Sequence, residues 1–150
     1  MRVFRLSKKK YSKELNGKGA SKSGSRWNSK GTEIIDSAES RALAMAEVAV
    51  HLTIATLPSD YVMIEIDIPD DIQIKELEEL PDHWNSHPPN ISTQKIGDEF
   101  IDSIAICVLK VPSAVVQGDH NYLINPYHKQ FNKIKIIDVK DFPFDKRIFN

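Results

Sequence analysis

A chain of 150 residues, 41% hydrophobic and 27% charged, has the length and composition of one globular domain, 1–150, with its own core. No apolar run is long enough to span a membrane as a helix: the longest, Ala42–Leu57, carries Glu47 and His51. The net charge of −1 hides an asymmetry, since residues 1–41 hold eleven Lys/Arg against four Asp/Glu and the remainder nine against seventeen. The basic N-terminal quarter suits an anionic ligand or nucleic acid, or is a solvated basic loop.

In chain order, Val3-Phe4-Arg5-Leu6 reads as a short strand, Val3 and Arg5 on one face and Phe4 and Leu6 on the other. No hydrophobic segment follows the charges of Met1–Lys10, so no secretory signal is expected and the cytoplasm is the expected compartment. Residues 7–25, rich in Lys, Ser and Gly, read as a long mobile loop. Ile34-Ile35 is a strand fragment. Ser37 or Ser40 caps a helix predicted from about Glu39 to Ala55, apolar nearly all round and therefore buried, with Glu47 on it. Tyr61–Ile68 alternates, with Val62, Ile64, Ile66 and Ile68 on one face, and is the most secure strand. A helical turn is predicted at Glu76–Leu80, loop over 82–95, a short helix at Gly97–Ser103, strands at Ile104–Val111 and Ile134–Val139, and a tail packed down by Phe142-Pro143-Phe144. Strands outnumber helices without βαβ alternation, so the fold class is α+β.

Chemistry-bearing patterns are sparse. Cys107 is the sole cysteine, inside an apolar run, and reads as a buried free thiol. No histidine pair has zincin spacing, and no metal site is expected. Neither a phosphate-binding glycine loop nor a Gly-x-Ser-x-Gly elbow is present. What stands out is Arg26 beside Trp27 and Asn28, and Glu47 on an apolar helix. A carboxylate there needs a partner, and Arg26 is the natural one. Arginine and glutamate together suggest a pocket for an anionic, sugar-like ligand. Arg26 as a structural ion pair with Trp27 as core is the competing interpretation.

Several motifs then fall in order: Phe4-Arg5-Leu6, Gly17-x-Gly19-Ala20, Gly24-x-Arg26-Trp27-Asn28-x-x-Gly31, Ala38-Glu39-Ser40-x-Ala42-Leu43-Ala44-x-Ala46-Glu47, Val111-Pro112-Ser113, Asn121–Pro126 with His128, and Phe144-Asp145-Lys146-Arg147. Across essentially the whole chain they resemble the RES-domain family. That resemblance implies a fold similar to ADP-ribosyltransferase toxins. It implies the toxin half of a bacterial toxin–antitoxin pair, one that depletes NAD by cleaving the nicotinamide–ribose bond with water or phosphate as acceptor. NAD is then substrate, with no prosthetic group. The implied partner is an Xre-like, DNA-binding antitoxin that covers the active site, so DNA is contacted only indirectly and a membrane not at all.

On this resemblance Glu47 stabilises the oxocarbenium-like ribose, and Arg26, assisted by Arg5, holds the pyrophosphate. Ser113 bonds the ribose or the nicotinamide amide, Trp27 packs, and Asn28 and Asn125 hold loops. One position departs. In Gly31-Thr32-Glu33-Ile34-Ile35-Asp36, Asp36 stands where the family carries a tyrosine lining the nicotinamide pocket, and Glu33 replaces a proline. Asp36 sets a second carboxylate near Glu47, where like charge raises a pKa, unless Tyr11 or Tyr61 takes the tyrosine's place. Three readings follow: an NAD-cleaving toxin, a protein ADP-ribosyltransferase, and a weakened, non-catalytic module that occupies an antitoxin or binds nucleic acid.

Overall fold

The structure is a computed structural model and describes residues 1–149. Chain order is β1 (Arg2–Lys8), α1 (Lys18–Ser23), β2 (Ile35–Ala38), α2 (Arg41–Ala49), β3 (Tyr61–Asp67), β4 (Ile74–Glu76), α3 (Ile91–Ser103), β5 (Val108–Pro112), β6 (His120–Ile124) and β7 (Lys135–Asp141). The strands make one seven-stranded sheet in the order β4-β5-β6-β2-β1-β3-β7. The β4–β5 pair is parallel and the others antiparallel. The expected α+β class is what is observed.

The period-two pattern of β3 places it. Val62, Ile64 and Ile66, with Ile68, Val3, Ile35, Val108 and Ile124, are all but fully buried in one cluster on one face of the sheet. Each such side chain contributes about 1.5–3 kcal/mol on burial. The other face carries two separate clusters. Phe4, Leu6, Ala38 and Met63 pack under Leu43 and Ala44 of α2, and Phe142 and Phe144 of the tail lie against them as expected. Leu109, Val111 and Leu123 pack under Phe100 and Ile101 of α3, with Trp27 and Ile34. Asp36 is registered opposite Leu123 and sits two residues before Ala38, so it emerges on this face between the two clusters. Next to it, β1 and β2 share a single register pair, Phe4↔Ala38, and part from one another beyond it.

Five expectations are corrected. Residues 7–25 are not structureless: a 3₁₀ turn spans Lys9–Tyr11 and α1 follows, because Asn16 accepts from the Lys18 amide at 3.1 Å and Gly17 lets the chain press against the Ile34 backbone, where a Cβ would come within 2.5 Å. The helix predicted over Glu39–Ala55 is only Arg41–Ala49, capped by Ser40 through the Leu43 amide. It ends because Thr53 opens a separate capped 3₁₀ turn at Ile54–Thr56. Nor is it buried all round, since Arg41 and Ala42 are exposed and only Leu43 and Ala44 of its residues are buried. Around Glu76 the chain is strand, β4, because pairing with β5 overrides local helical preference.

The helix expected at Gly97–Ser103 begins at Ile91, with Asn90 accepting from the Ser92 amide at 3.0 Å. Its polar first turn hid this. The strand expected from Ile104 begins at Val108, since Ile104 is the left-handed cap of α3 (φ 48°) and is exposed. Cys107 is buried and free, and burial pushes its thiol up to about 11. Among the described residues no helix is long and apolar enough to cross a membrane.

Candidate functional site

A cleft of about 910 Å³ opens between the two clusters, over the gap where β1 and β2 part. Of the residues singled out from the sequence, Arg5, Arg26, Asp36 and Glu47 all line it. Ser113 stands just behind.

Glu47 comes from the last turn of α2, one turn beyond Leu43 and Ala44, which anchor the same side of the helix in the core. Ser113 ends β5 and donates its hydroxyl to Glu47 Oε1 at 2.7 Å. That hydroxyl is fixed in turn by the amides of Val115 and Val116, at 3.1 and 3.0 Å. Two amides on the oxygen leave its proton aimed at the carboxylate, so Ser113 orients Glu47 from a buried position. The expected Arg26–Glu47 pairing is not formed. Arg26 Nη1 donates to the carbonyls of Trp84 at 2.8 Å and Ser86 at 2.9 Å. Glu47 acts on it only through its charge, which raises a guanidinium pKa that burial lowers.

The turn holding Arg26 is braced by α3. Gln94 donates to the Ser25 carbonyl at 3.0 Å, Asp98 accepts from the Ser29 amide at 3.0 Å, and Gly97 meets the Trp27 backbone so closely that a Cβ would lie 1.5 Å from its carbonyl oxygen. Asn28, fully buried, donates to the carbonyls of Ala20 and Thr32. Asn125 donates to Ile101 and accepts from the Tyr127 amide. Both asparagines therefore hold loops. Trp27 is 3% exposed and stacks on Trp84, centroids 6.4 Å apart, so it packs.

Arg5 and Asp36 meet at the floor. Arg5 is largely buried, which lowers its pKa against the opposing pull of Asp36, and its Nη1 has no hydrogen-bond partner among the described residues. An unpartnered buried guanidinium nitrogen in a cleft is a donor awaiting an anion or a polar ligand. Asp36 is exposed to the solvent of the cleft, with the cleft walls crowded around it. Desolvation first and the Glu47 charge second push it up to about 7, against Arg5 and the Ser37 amide, which hold it down. Among the described residues no tyrosine lines the cleft. Tyr61 is engaged edge-on with Phe144 and Tyr11 lies under Lys10, so neither stands in for the residue that Asp36 replaces.

Sequence reasoning missed part of the lining. Asn121, whose amide donates to the Ser37 carbonyl, faces the cleft from β6. Asn85 and His87 face it from the loop before α3. His51 also lines it, although it lies beyond the end of α2 and not on the helix with Glu47.

The arrangement offers one oriented carboxylate, a second one titrating near neutrality, and two arginines in a cleft large enough for a dinucleotide. Its chemistry is that of binding an anion and stabilising a nearby cation. Comparisons with known proteins place the chain among relatives. The chain is 36% identical over 151 residues to "Toxin Res" of Photorhabdus laumondii, covering 99% of this chain and 97% of that one. It is 34% identical to "Toxin Res" of Yersinia enterocolitica over 99% of both, and 34% identical to the "Prs ADP-ribosylating toxin" of Sphingobium sp., over 90% of this chain and 86% of that one. Among solved structures, the M. tuberculosis MbcT–MbcA toxin–antitoxin complex contains a chain that superposes with a TM-score of 0.73 at 18% identity, over 99% of this chain and 86% of that one. That likeness shows a shared fold. A family model for the RES domain matches residues 2–146, and the chain belongs to the RES-domain family of toxins.

Proposed function

We propose that this protein is the toxin of a toxin–antitoxin pair and that it cleaves the nicotinamide–ribose bond of NAD, passing ADP-ribose to water or phosphate. The observation that carries the reading is the Ser113–Glu47 pair at the lip of a cleft whose floor holds Arg5 with an unpartnered nitrogen. Departure of nicotinamide leaves positive charge on the ribose, and the bond breaks only if that charge is stabilised as it develops. A carboxylate held by a serine hydroxyl is in place before reaction and needs no reorganisation. Arg5 and the free edge of Arg26 supply the cations that a pyrophosphate requires.

Nicotinamide release from NAD, followed chromatographically with and without phosphate, tests the reading. Glu47→Gln is expected to lower the rate by about 10²-fold or more while NAD still binds. A protein that releases nicotinamide no faster than this variant is not an NAD-cleaving enzyme. The name of the Sphingobium relative, an ADP-ribosylating toxin, supports a second reading: the same site passing ADP-ribose to a protein. Adenine-labelled NAD separates the two, since label accumulates as small product in the first case and on a macromolecule in the second.

The partner on this reading is an Xre-like antitoxin, through which alone the toxin meets DNA. The solved toxin–antitoxin complex of the same fold supports it. A helix-turn-helix protein encoded next to the toxin is expected to co-purify with it and to stop nicotinamide release. Co-purification without inhibition would place the partner's contact elsewhere than the cleft.

A further inference from the structure

The cleft has a wall that no motif of the sequence marked: the loop Trp84–Pro89, from which Asn85, His87 and Pro89 face the cavity. Two contacts hold this loop in place, and both come from adjacent residues. Arg26 Nη1 binds the carbonyls on either side of Asn85, those of Trp84 and Ser86. Trp27 stacks its ring on that of Trp84, with planes 29° apart. Arg26 and Trp27 are themselves fixed by α3 through Gln94 and Gly97. A segment rich in Pro, His and Asn would otherwise have little to order it. Here its backbone is tied at the residues flanking Asn85, and the Asn85 side chain is left to the cavity.

The two hydrogens of Arg26 Nη1 are engaged by these two carbonyls, while Nε and Nη2 form no hydrogen bond among the described residues. The guanidinium therefore joins the loop through Nη1 and keeps its other planar edge, able to bind an oxyanion in bidentate fashion, unengaged on a side chain that lines the cleft.

We propose that Asn85 and His87 are specificity-determining residues, which bind the dinucleotide away from the bond that breaks and are positioned for it by Arg26 and Trp27. This rests on the NAD reading above. An amide that both donates and accepts, and an imidazole that can do either, suit the polar edge of a nucleobase or amide more than a bare phosphate. Glu47 and Asp36 supply the charges at the reacting end and stand on other elements, α2 and β2. The loop residues are therefore engaged equally in the ground and transition states. Interactions of that kind lower KM and leave kcat alone.

The experiment measures NAD binding and turnover separately. Both tryptophans of the chain, Trp27 and Trp84, lie in the clamp, so intrinsic fluorescence reports ligand at the loop. Titrating NAD into Glu47→Gln gives the affinity without turnover. Adding Asn85→Ala or His87→Ala to that variant is expected to weaken NAD binding about five- to tenfold each. In the otherwise native chain the same substitutions are expected to raise KM by that factor with kcat within about twofold. Asn85→Gln, which keeps the amide, is expected to recover part of the loss, whereas a purely structural loop residue would show no such dependence on the amide. NAD binding by the loop variants equal to that of Glu47→Gln, or a loss in kcat with KM unchanged, overturns the subsite while leaving the NAD reading standing. If Glu47→Gln and the native chain both fail to bind NAD, the NAD reading falls, and the loop assignment with it.

Discussion

At the scale of single residues the site rests on what each carboxylate touches. Glu47 is oriented by one hydroxyl, and that hydroxyl by two amides. Ser113→Ala removes the bridge and leaves the amides of Val115 and Val116 without their acceptor. Nicotinamide release is expected to fall about tenfold in kcat, with KM little changed, because the carboxylate is still present but no longer held. Equal losses in Ser113→Ala and Glu47→Gln would mean that the serine acts on substrate directly.

Asp36 behaves differently, because its carboxylate lies within the cleft beside another one. Its pKa is raised from 3.8 to about 7 in the folded protein. Between those values the folded state binds a proton that the unfolded state has released, so this residue makes stability fall as pH rises from about 4 to about 7, and level off above. Asp36→Asn removes the effect. Thermal melts are expected to show the variant gaining on the native chain between pH 5 and pH 8, with the two close together near pH 4. An advantage for the variant that is greatest in acid would reverse the sign and reject a raised pKa for Asp36. The cleft opening over Asp36 lessens the size of the effect but not its direction.

At the scale of elements the site depends on α3, which contributes no residue to the cleft lining and yet sets the position of Arg26. Gly97 is where helix and turn touch, and the contact is backbone to backbone. Gly97→Ala inserts a methyl that neither partner can evade by changing rotamer. A loss of about 3 kcal/mol in denaturant unfolding is expected. Because Arg26 moves with Trp27, NAD affinity is expected to drop even under conditions where the variant is still folded. A neutral Gly97→Ala would show that the turn is free of the helix.

The same element shows where sequence reasoning reaches its limit. The alternation of β3 and the Ser40 cap of α2 are local, and both were legible. The start of α3 was not, since Ile91-Ser92-Thr93 reads as loop until the tertiary fold buries Thr93 and presses Gly97 of the same helix against the Trp27 backbone, seventy positions away in the chain. β4 likewise exists only because β5 pairs with it. For the site the division is similar. Arg26 and Glu47 stood out by type and setting, but their partners, two carbonyls and one serine, are consequences of tertiary contact. Asn85 and His87 carried no signal at all, because only the Arg26 clamp turns that loop toward the cavity.

At the scale of the whole molecule the charge is divided as sharply as the core. The basic quarter contributes β1, α1 and the Arg26 turn, and so forms one side of the cleft. Lys18 and Lys22 of α1 are spaced four residues apart on one helical face, and α1 runs directly into Ser23–Arg26 of the lining. Lys30 joins them through the Gly31–Ser21 backbone bond of 2.8 Å. An anionic substrate therefore approaches a positive rim on a molecule whose net charge is −1, and the local field, not the total, governs its capture. Such a field reaches about 30 Å at 0.01 M salt and about 8 Å at 0.15 M. On the proposed reading KM for NAD is expected to rise over that range, and kcat to stay level, since Glu47 and Asp36 line the cleft itself whereas Lys18 and Lys22 do not. Lys18→Gln with Lys22→Gln is expected to flatten the dependence by raising KM at low salt only. Measuring KM at the two salt concentrations for both proteins decides the matter: a native KM that ignores salt, or a double variant with the native slope, would leave the basic quarter no part in capturing the substrate.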